Sequence, residues 1–223
     1  MEKTRKKNSC VVLLSGGMDS TTLLFYVRDK LKIRQIHALS FFYGQKHSRE
    51  LKMARWQAKK AGVFVHRIVD IGMLEDLIGE YSVLLRSGKK VPALRDIDVK
   101  NRYQPPTYVP NRNLIFLSLA AAYAEAHGID DIYYGAQAQD SYGYWDCTAD
   151  FVNKLNDVLK LNRKRKIKIY APFAGWSKRK IAVLGYSLRV DYSRTWSCYR
   201  GRGEPCGICP SCVERNAAMS GME

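Results

Sequence analysis

The chain has 223 residues, 46% hydrophobic and 26% charged, enough for one sizeable core, so disorder of the whole chain is excluded. No apolar stretch approaches the roughly 18 uninterrupted residues of a membrane-spanning helix. Lysine and arginine number 37 against 21 acids, a net charge of +16, so the surface suits anions such as nucleotides, nucleic acid or acidic partners.

The first seven residues are basic, and the apolar run after them, Val11 to Leu14, breaks at Ser15-Gly16-Gly17. That run is too short for the core of a signal peptide, so a cytoplasmic location is expected. Residues 10–14, Cys-Val-Val-Leu-Leu, predict a buried parallel strand. From Met18, the residues Leu23, Leu24, Val27 and Leu31 recur at helical spacing. Residues 33–42 read as a second strand, 45–61 as a helix and 63–69 as a third strand. Residues 71–110 hold a short helical candidate among glycine, charges and four prolines. They predict a long excursion with little regular structure, a candidate lid over a site. Leu114 to Ala126 predicts a buried helix, and Ile129 to Ala136 a strand ending near glycine. Residues 150–161 predict an amphipathic helix, followed by the basic run Arg163-Lys164-Arg165-Lys166. Ile167 to Tyr170 is the next strand, and Ser177 is a candidate N-cap for a helix after it. Alternation of strands and helices predicts an α/β fold, a doubly wound parallel sheet covered on both faces, in a single domain over 1–223.

Two motifs carry chemistry. The first is Ser15-Gly16-Gly17-Met18-Asp19-Ser20-Thr21-Thr22, between a predicted strand and a predicted helix. The glycines let backbone amides turn toward an anion, and the helix N-terminus adds free N–H groups and its positive dipole end. The hydroxyls of Ser15, Ser20, Thr21 and Thr22 add donors. The spacing is neither that of a Walker A loop nor that of a dinucleotide fingerprint. The second motif is Cys198, Cys206, Cys209 and Cys212, four cysteines within fifteen positions. Four thiolates can close a tetrahedral zinc shell, and the same density also occurs around iron–sulfur clusters. No ligand position is left over, so such a metal is structural. The other two cysteines, Cys10 and Cys147, stand alone. Cys147 with His47 would make a nucleophile and base, and a small buried cysteine is the simpler reading.

The octapeptide resembles the PP-loop, Ser-Gly-Gly-x-Asp-Ser, of the N-type ATP pyrophosphatases, which transfer AMP to an oxygen and release pyrophosphate. With Tyr43-Gly44-Gln45-Lys46-His47, Val109-Pro110-Asn111-Arg112-Asn113, Gly135-Ala136, Asp146-Cys147, Ser177-Lys178 and Thr195-Trp196-Ser197-Cys198, the chain resembles the 7-cyano-7-deazaguanine synthase (QueC) family over nearly its whole length. The resemblance implies that ATP is held by Leu14, Ser15, Gly16, Gly17, Met18, Asp19, Ser20, Thr21, Thr22, Leu23 and Leu24. Asp19, Ser20 and Lys178 are the implied catalytic residues, with Mg²⁺ beside Asp19. Tyr43, His47, Arg112 and Asp146 are the implied substrate residues, Asp146 accepting from the N–H edge of the base. Arg112, Lys178 and Arg179 are cations for a carboxylate or phosphates, and Tyr43, Tyr142, Tyr144 and Trp145 are aromatic faces for stacking. The four cysteines would hold Zn²⁺ in a C-terminal segment, 195–223. The implied substrates are 7-carboxy-7-deazaguanine, ATP and ammonia, the implied assembly a homodimer, and no membrane is involved.

Tyr144-Trp145 stands where the family has Tyr-Pro. If this segment touches the base, Trp145 alters the pocket wall. With the +16 charge, that leaves a second reading: a relative that joins the activated carboxylate to an amine on a protein or nucleic acid, or stops at the amide. A tRNA-thiolating PP-loop protein and a plain nucleic-acid-binding module are the remaining readings. The last predicts salt-sensitive binding that needs no ATP.

Overall fold

The computed structural model describes residues 8–46, 48–98, 104–138, 140, 143–201 and 203–222. Its centre is β1 (Ser9–Leu13), and every side chain from Cys10 to Leu13 is buried. A strand with apolar residues on both sides needs cover on both faces, and each face of β1 feeds its own core. Cys10 and Val12 join one core with α1 (Met18–Asp29), α2 (Arg49–Ala61) and α6 (Lys178–Ser187). Val11 and Leu13 join the other with α4 (Arg112–Ala126) and α5 (Ala149–Leu159). Full burial of each such valine or leucine contributes about 1.5–3 kcal/mol.

The other strands are β2 (Gln35–Phe42), β3 (Val65–Asp70), β4 (Asp131–Tyr133) and β5 (Lys168–Tyr170). All pairs are parallel, and the order is β3-β2-β1-β4-β5. The chain winds outward from β1 to β3, then returns to the far side of β1 to place β4. The order therefore reverses between β1 and β4, where a crevice opens beyond the strand ends.

The predicted doubly wound parallel sheet is present, and its elements differ from expectation mainly at their ends. The helix expected from residue 45 begins at Arg49, because Gln45 is committed elsewhere: it bridges to Leu85, and its side chain accepts from the Tyr43 amide at 2.7 Å. The strand expected over 129–136 keeps only three ladder residues. Beyond them the chain bends over the start of α1, where a Cβ on Gly135 would lie 3.3 Å from the Ser20 backbone. Ser177 caps α6, its side chain accepting from the Lys180 amide.

The 71–110 stretch is irregular as expected, with one short helix, α3 (Met73–Ile78). It is nonetheless packed. Leu74, Leu84, Leu85, Val91 and Val109 form a third core with Tyr43, Trp196 and three of the clustered cysteines. The Leu94 amide donates to the Ile208 carbonyl at 2.9 Å, and Arg200 Nε to the Val91 carbonyl at 3.0 Å. The last helix, α7 (Pro210–Met219), starts inside the cysteine segment. Among the described residues, no helix is long and apolar enough to cross a membrane.

Candidate active site

A cleft of about 240 Å³ lies over the ends of β1, β2 and β4. One end is the glycine turn. Gly16 has φ +84°, and a Cβ there would sit 2.1 Å from the Glu50 carbonyl oxygen, so only glycine lets the turn pass this close to α2. The Gly16 carbonyl accepts from the Trp196 amide at 2.9 Å. Ser20 Oγ stands 2.9 Å from Ser15 Oγ and 3.2 Å from the Ser15 amide that donates to it. The turn is thereby held in shape with its hydroxyls gathered at the start of α1.

Leu14, Ser15, Gly17, Met18, Asp19 and Ser20 line the cleft. The other residues expected to hold ATP lie elsewhere. Gly16 and Thr21 are buried behind the turn, and Leu23 and Leu24 belong to the core. Thr22 Oγ1 is buried against Tyr192 Oη at 2.7 Å and donates to the Met18 carbonyl. Their spacing on the helix sends them inward, so they support the cradle from below.

Lys178 reaches the same end from the first turn of α6. Its Nζ is 2.8 Å from Glu214 Oε2 on α7 and 3.7 Å from Asp19 Oδ2. Burial works against its charge, but Asp19, Glu214 and Asp140 more than offset this, holding the ammonium above its ordinary range. Burial also raises the Asp19 carboxyl, with Lys178 opposing. Asp19 Oδ1 is buried without a hydrogen-bond partner among the described residues, which is the open position a hard cation beside a polyphosphate would fill. Asp140, after β4, lines the cleft as well. Burial pushes its carboxyl up to about 6, and Gln137 donates to it. Mg²⁺ held by Asp19, with Asp140 close by, fits these groups.

The other end of the cleft is aromatic. Phe41 and Phe116 stack at 4.2 Å, Tyr43 lies beside Phe116, and the Arg112 guanidinium stands 5.8 Å from the Tyr43 ring centre. Burial drives the Tyr43 hydroxyl up to about 12, so it stays neutral. Glu50 lines this end too, accepting from Gln45 Nε2 at 2.9 Å, and burial pushes its carboxyl up to about 7.

Of the residues expected to bind substrate, Tyr43 and Arg112 line the cleft. His47 and Tyr142 lie outside the described residues. Asp146 is 2% exposed and absent from the lining, and its Oδ2 accepts from the Asn113 amide at the start of α4. Tyr144 lines the cleft, whereas Trp145 is 43% exposed, turned out, and donates to Tyr108 Oη. The Trp145 departure therefore does not alter the cleft wall. Arg179 is exposed and donates to the Ser220 carbonyl. Cys147 is buried, which pushes its thiol well up, and its Sγ accepts from Asn113 Nδ2. A thiol so held is a poor nucleophile.

Asp140, Glu50 and Glu214 were not anticipated from the sequence. They sit far apart along the chain, and no local pattern marks one carboxylate among the 21 acids.

The four cysteines converge. The Sγ atoms of Cys198, Cys206, Cys209 and Cys212 all lie within 4.8 Å of one another, and those of Cys206 and Cys212 are 4.0 Å apart. Bonds of about 2.3 Å to a tetrahedral zinc put sulfurs roughly 3.8 Å apart, so the set fits one ion. Cys198 and Ser211 line the cleft, and Glu214, two residues after Cys212, holds Lys178. The metal-binding segment is thus one wall of the site.

Residues 9–223 match the family model described as "Queuosine biosynthesis protein QueC". The 7-cyano-7-deazaguanine synthase of Aquifex aeolicus is 40% identical, over 98% of this chain and 99% of its own. That of Archaeoglobus fulgidus is 43% identical, over 94% of this chain and 84% of its own. Among solved structures, the U34-tRNA thiolase NcsA of Methanococcus maripaludis, determined with its [4Fe-4S] cluster, superimposes with a TM-score of 0.54. It is 15% identical, over 96% of this chain and 65% of that one, a likeness of fold alone.

Proposed function

Since the chain belongs to the QueC family of ligase-type enzymes, we propose that it converts 7-carboxy-7-deazaguanine and ammonia to 7-cyano-7-deazaguanine at the expense of ATP. The carboxylate attacks the α-phosphorus of ATP, giving an acyl adenylate and pyrophosphate. Ammonia displaces AMP to form the amide. The amide oxygen then attacks the α-phosphorus of a second ATP, releasing pyrophosphate and a proton, and loss of AMP with the remaining N–H proton leaves the nitrile. The observation that carries this reading is the single cleft joining the Ser15–Ser20 cradle to an aromatic end with Arg112. An acid carried on a flat ring fits the one end and a triphosphate the other.

In this reading Ser15, Gly17 and Ser20 hold phosphate oxygens, and Asp19 would hold Mg²⁺, which would supply positive charge for departing pyrophosphate. Lys178 offers its ammonium to the same oxygens. Tyr43 stacks on the base and Arg112 binds its oxygens. Cys198, Cys206, Cys209 and Cys212 would hold Zn²⁺, which would tie together the segment that lines one side of the cleft. The chain acts as one domain, as a homodimer, in the cytoplasm.

Of the two features behind the larger-acceptor reading, Trp145 faces away from the cleft, and the +16 charge names no acceptor by itself. The test is mass spectrometry of products from metal-loaded protein, ATP, Mg²⁺, the carboxylated base and ammonium. The expected products are the nitrile, AMP and pyrophosphate. AMP with an amide or a free adenylate would redirect the acceptor. No nucleotide cleavage by folded protein would overturn the proposal.

A further inference from the structure

Two purine-like rings must enter one cleft, the adenine of ATP and the deazaguanine, and they differ in their hydrogen-bonding edges. A guanine-type ring offers oxygen O6 as an acceptor, then N1–H and the 2-amino group as adjacent donors. Adenine offers an amino donor, then a bare nitrogen. A carboxylate accepts only, so it matches the first edge and opposes the second.

Glu50 is placed for this. Its carboxylate lines the aromatic end of the cleft. One oxygen is pinned by Gln45 Nε2, and Gln45 is itself locked to the Tyr43 amide and the Phe41 carbonyl. The other oxygen takes no hydrogen bond from the described residues. Arg112 is near enough for its charge to act on Glu50, yet the two form no direct ion pair. The wall therefore shows a pinned acceptor with the Arg112 cation nearby and the Tyr43 and Phe116 rings alongside. Of the other acids in the cleft wall, Asp140 is tied to Gln137, and Asp19 lies at the cradle end beside Lys178.

We propose that Glu50 is the specificity-determining residue for the base, accepting from N1–H and the 2-amino group while Arg112 donates to O6 and the neighbouring 7-carboxylate. This deepens the reading above and rests on it. The raised carboxyl of Glu50 agrees, since a buried acceptor lacking its donors holds a proton more readily.

The test measures steady-state AMP release by full-length, metal-loaded protein with two bases, 7-carboxy-7-deazaguanine and its analogue lacking the 2-amino group. Wild type should lose about 100-fold or more in kcat/KM on the analogue, as sites built to bond an N–H do. Glu50→Gln should raise KM for the natural base by a similar factor, leave KM for ATP unchanged, and treat the two bases within a few-fold of each other. A merely structural role would move both KM values and keep the discrimination. Equal turnover of the two bases by wild type overturns the proposal, even if the variant does not fold. So does a variant with unchanged KM and unchanged discrimination. Wild type that cleaves no ATP with either base refutes the reaction instead. Binding of uncharged 7-deazaguanine, compared between wild type and Glu50→Gln, then decides Glu50: a loss of about 10-fold or more sustains its role, and equal binding ends it.

Discussion

Replacing Lys178 by methionine keeps the side chain's length and removes its charge. At an effective dielectric of about 20, the 2.8 Å contact with Glu214 and the 3.7 Å contact with Asp19 amount to about 6 and 4 kcal/mol of gross attraction. Much of this only offsets the cost of taking the ammonium out of water. Losing one partner of a fully buried pair costs about 3–5 kcal/mol, but the Glu214 side chain is 41% exposed and water screens it, so about 2–3 kcal/mol is expected. The loss should depend on pH. Without the lysine, buried Asp19 and Asp140 face each other with only the more distant Arg215 opposing, and both are easier to protonate in the folded state than in the unfolded one. Folded-state carboxyls raised above their unfolded values weaken the fold as pH rises through that window. Lys178→Met should therefore be more stable relative to wild type at about pH 5 than at about pH 8. The lysine itself is held above its ordinary range, so in wild type its contribution is fully present throughout that window. Urea denaturation at the two pH values reads the stability, and AMP release reads the function, where loss of one positioned donor to the phosphates should cost about 100-fold or more in kcat. Adding Asp19→Asn should recover stability at pH 8 and not activity. A single variant with wild-type kcat, or with a stability deficit equal at both pH values, would refute the account of this triad.

Cys147→Ala should retain kcat within a few-fold and lose about 1 kcal/mol of stability from the small cavity, measured by steady-state kinetics and denaturation, because its raised thiol takes no part in adenylation. Removing the metal with a chelator should abolish activity and lower Tm together, since α7 carries both Cys212 and the partner of Lys178; the chelator should extract one colourless ion per chain, and a brown protein would instead indicate iron–sulfur. Gly16→Ala should leave little folded protein by circular dichroism, as its Cβ would lie 2.1 Å from the Glu50 carbonyl at φ +84°. A folded, active Gly16→Ala would show that α2 can retreat from the cradle.

The order of strands and helices, the glycine turn at the first strand-to-helix junction and the four clustered cysteines were all legible along the chain. Each is a local signal. Apolar runs, a helix period and short cysteine spacings are properties of neighbours in sequence, and they survive without knowledge of the fold. Asp19 and Ser20 could be read as site residues for the same reason, since one turn of α1 presents both to the cleft. Thr22, Leu23 and Leu24 belong to the same motif but face the core, which depends on where α6 and Tyr192 pack.

Contacts made across long separations were beyond the sequence. Lys178 meets Asp19 and Glu214 because α1, α6 and α7 adjoin on one face of the sheet. Asp146 is an acid beside a cysteine in sequence, yet it serves the start of α4 and not the cleft, while Glu50 reaches the cleft from the first turn of α2. The 71–110 stretch shows no periodicity because its order comes from a core shared with the cysteine segment more than 80 positions away. Periodicity records which side of an element is apolar. Which elements meet is decided by the free energy of packing them together, and that determined which carboxylates and cations share this site.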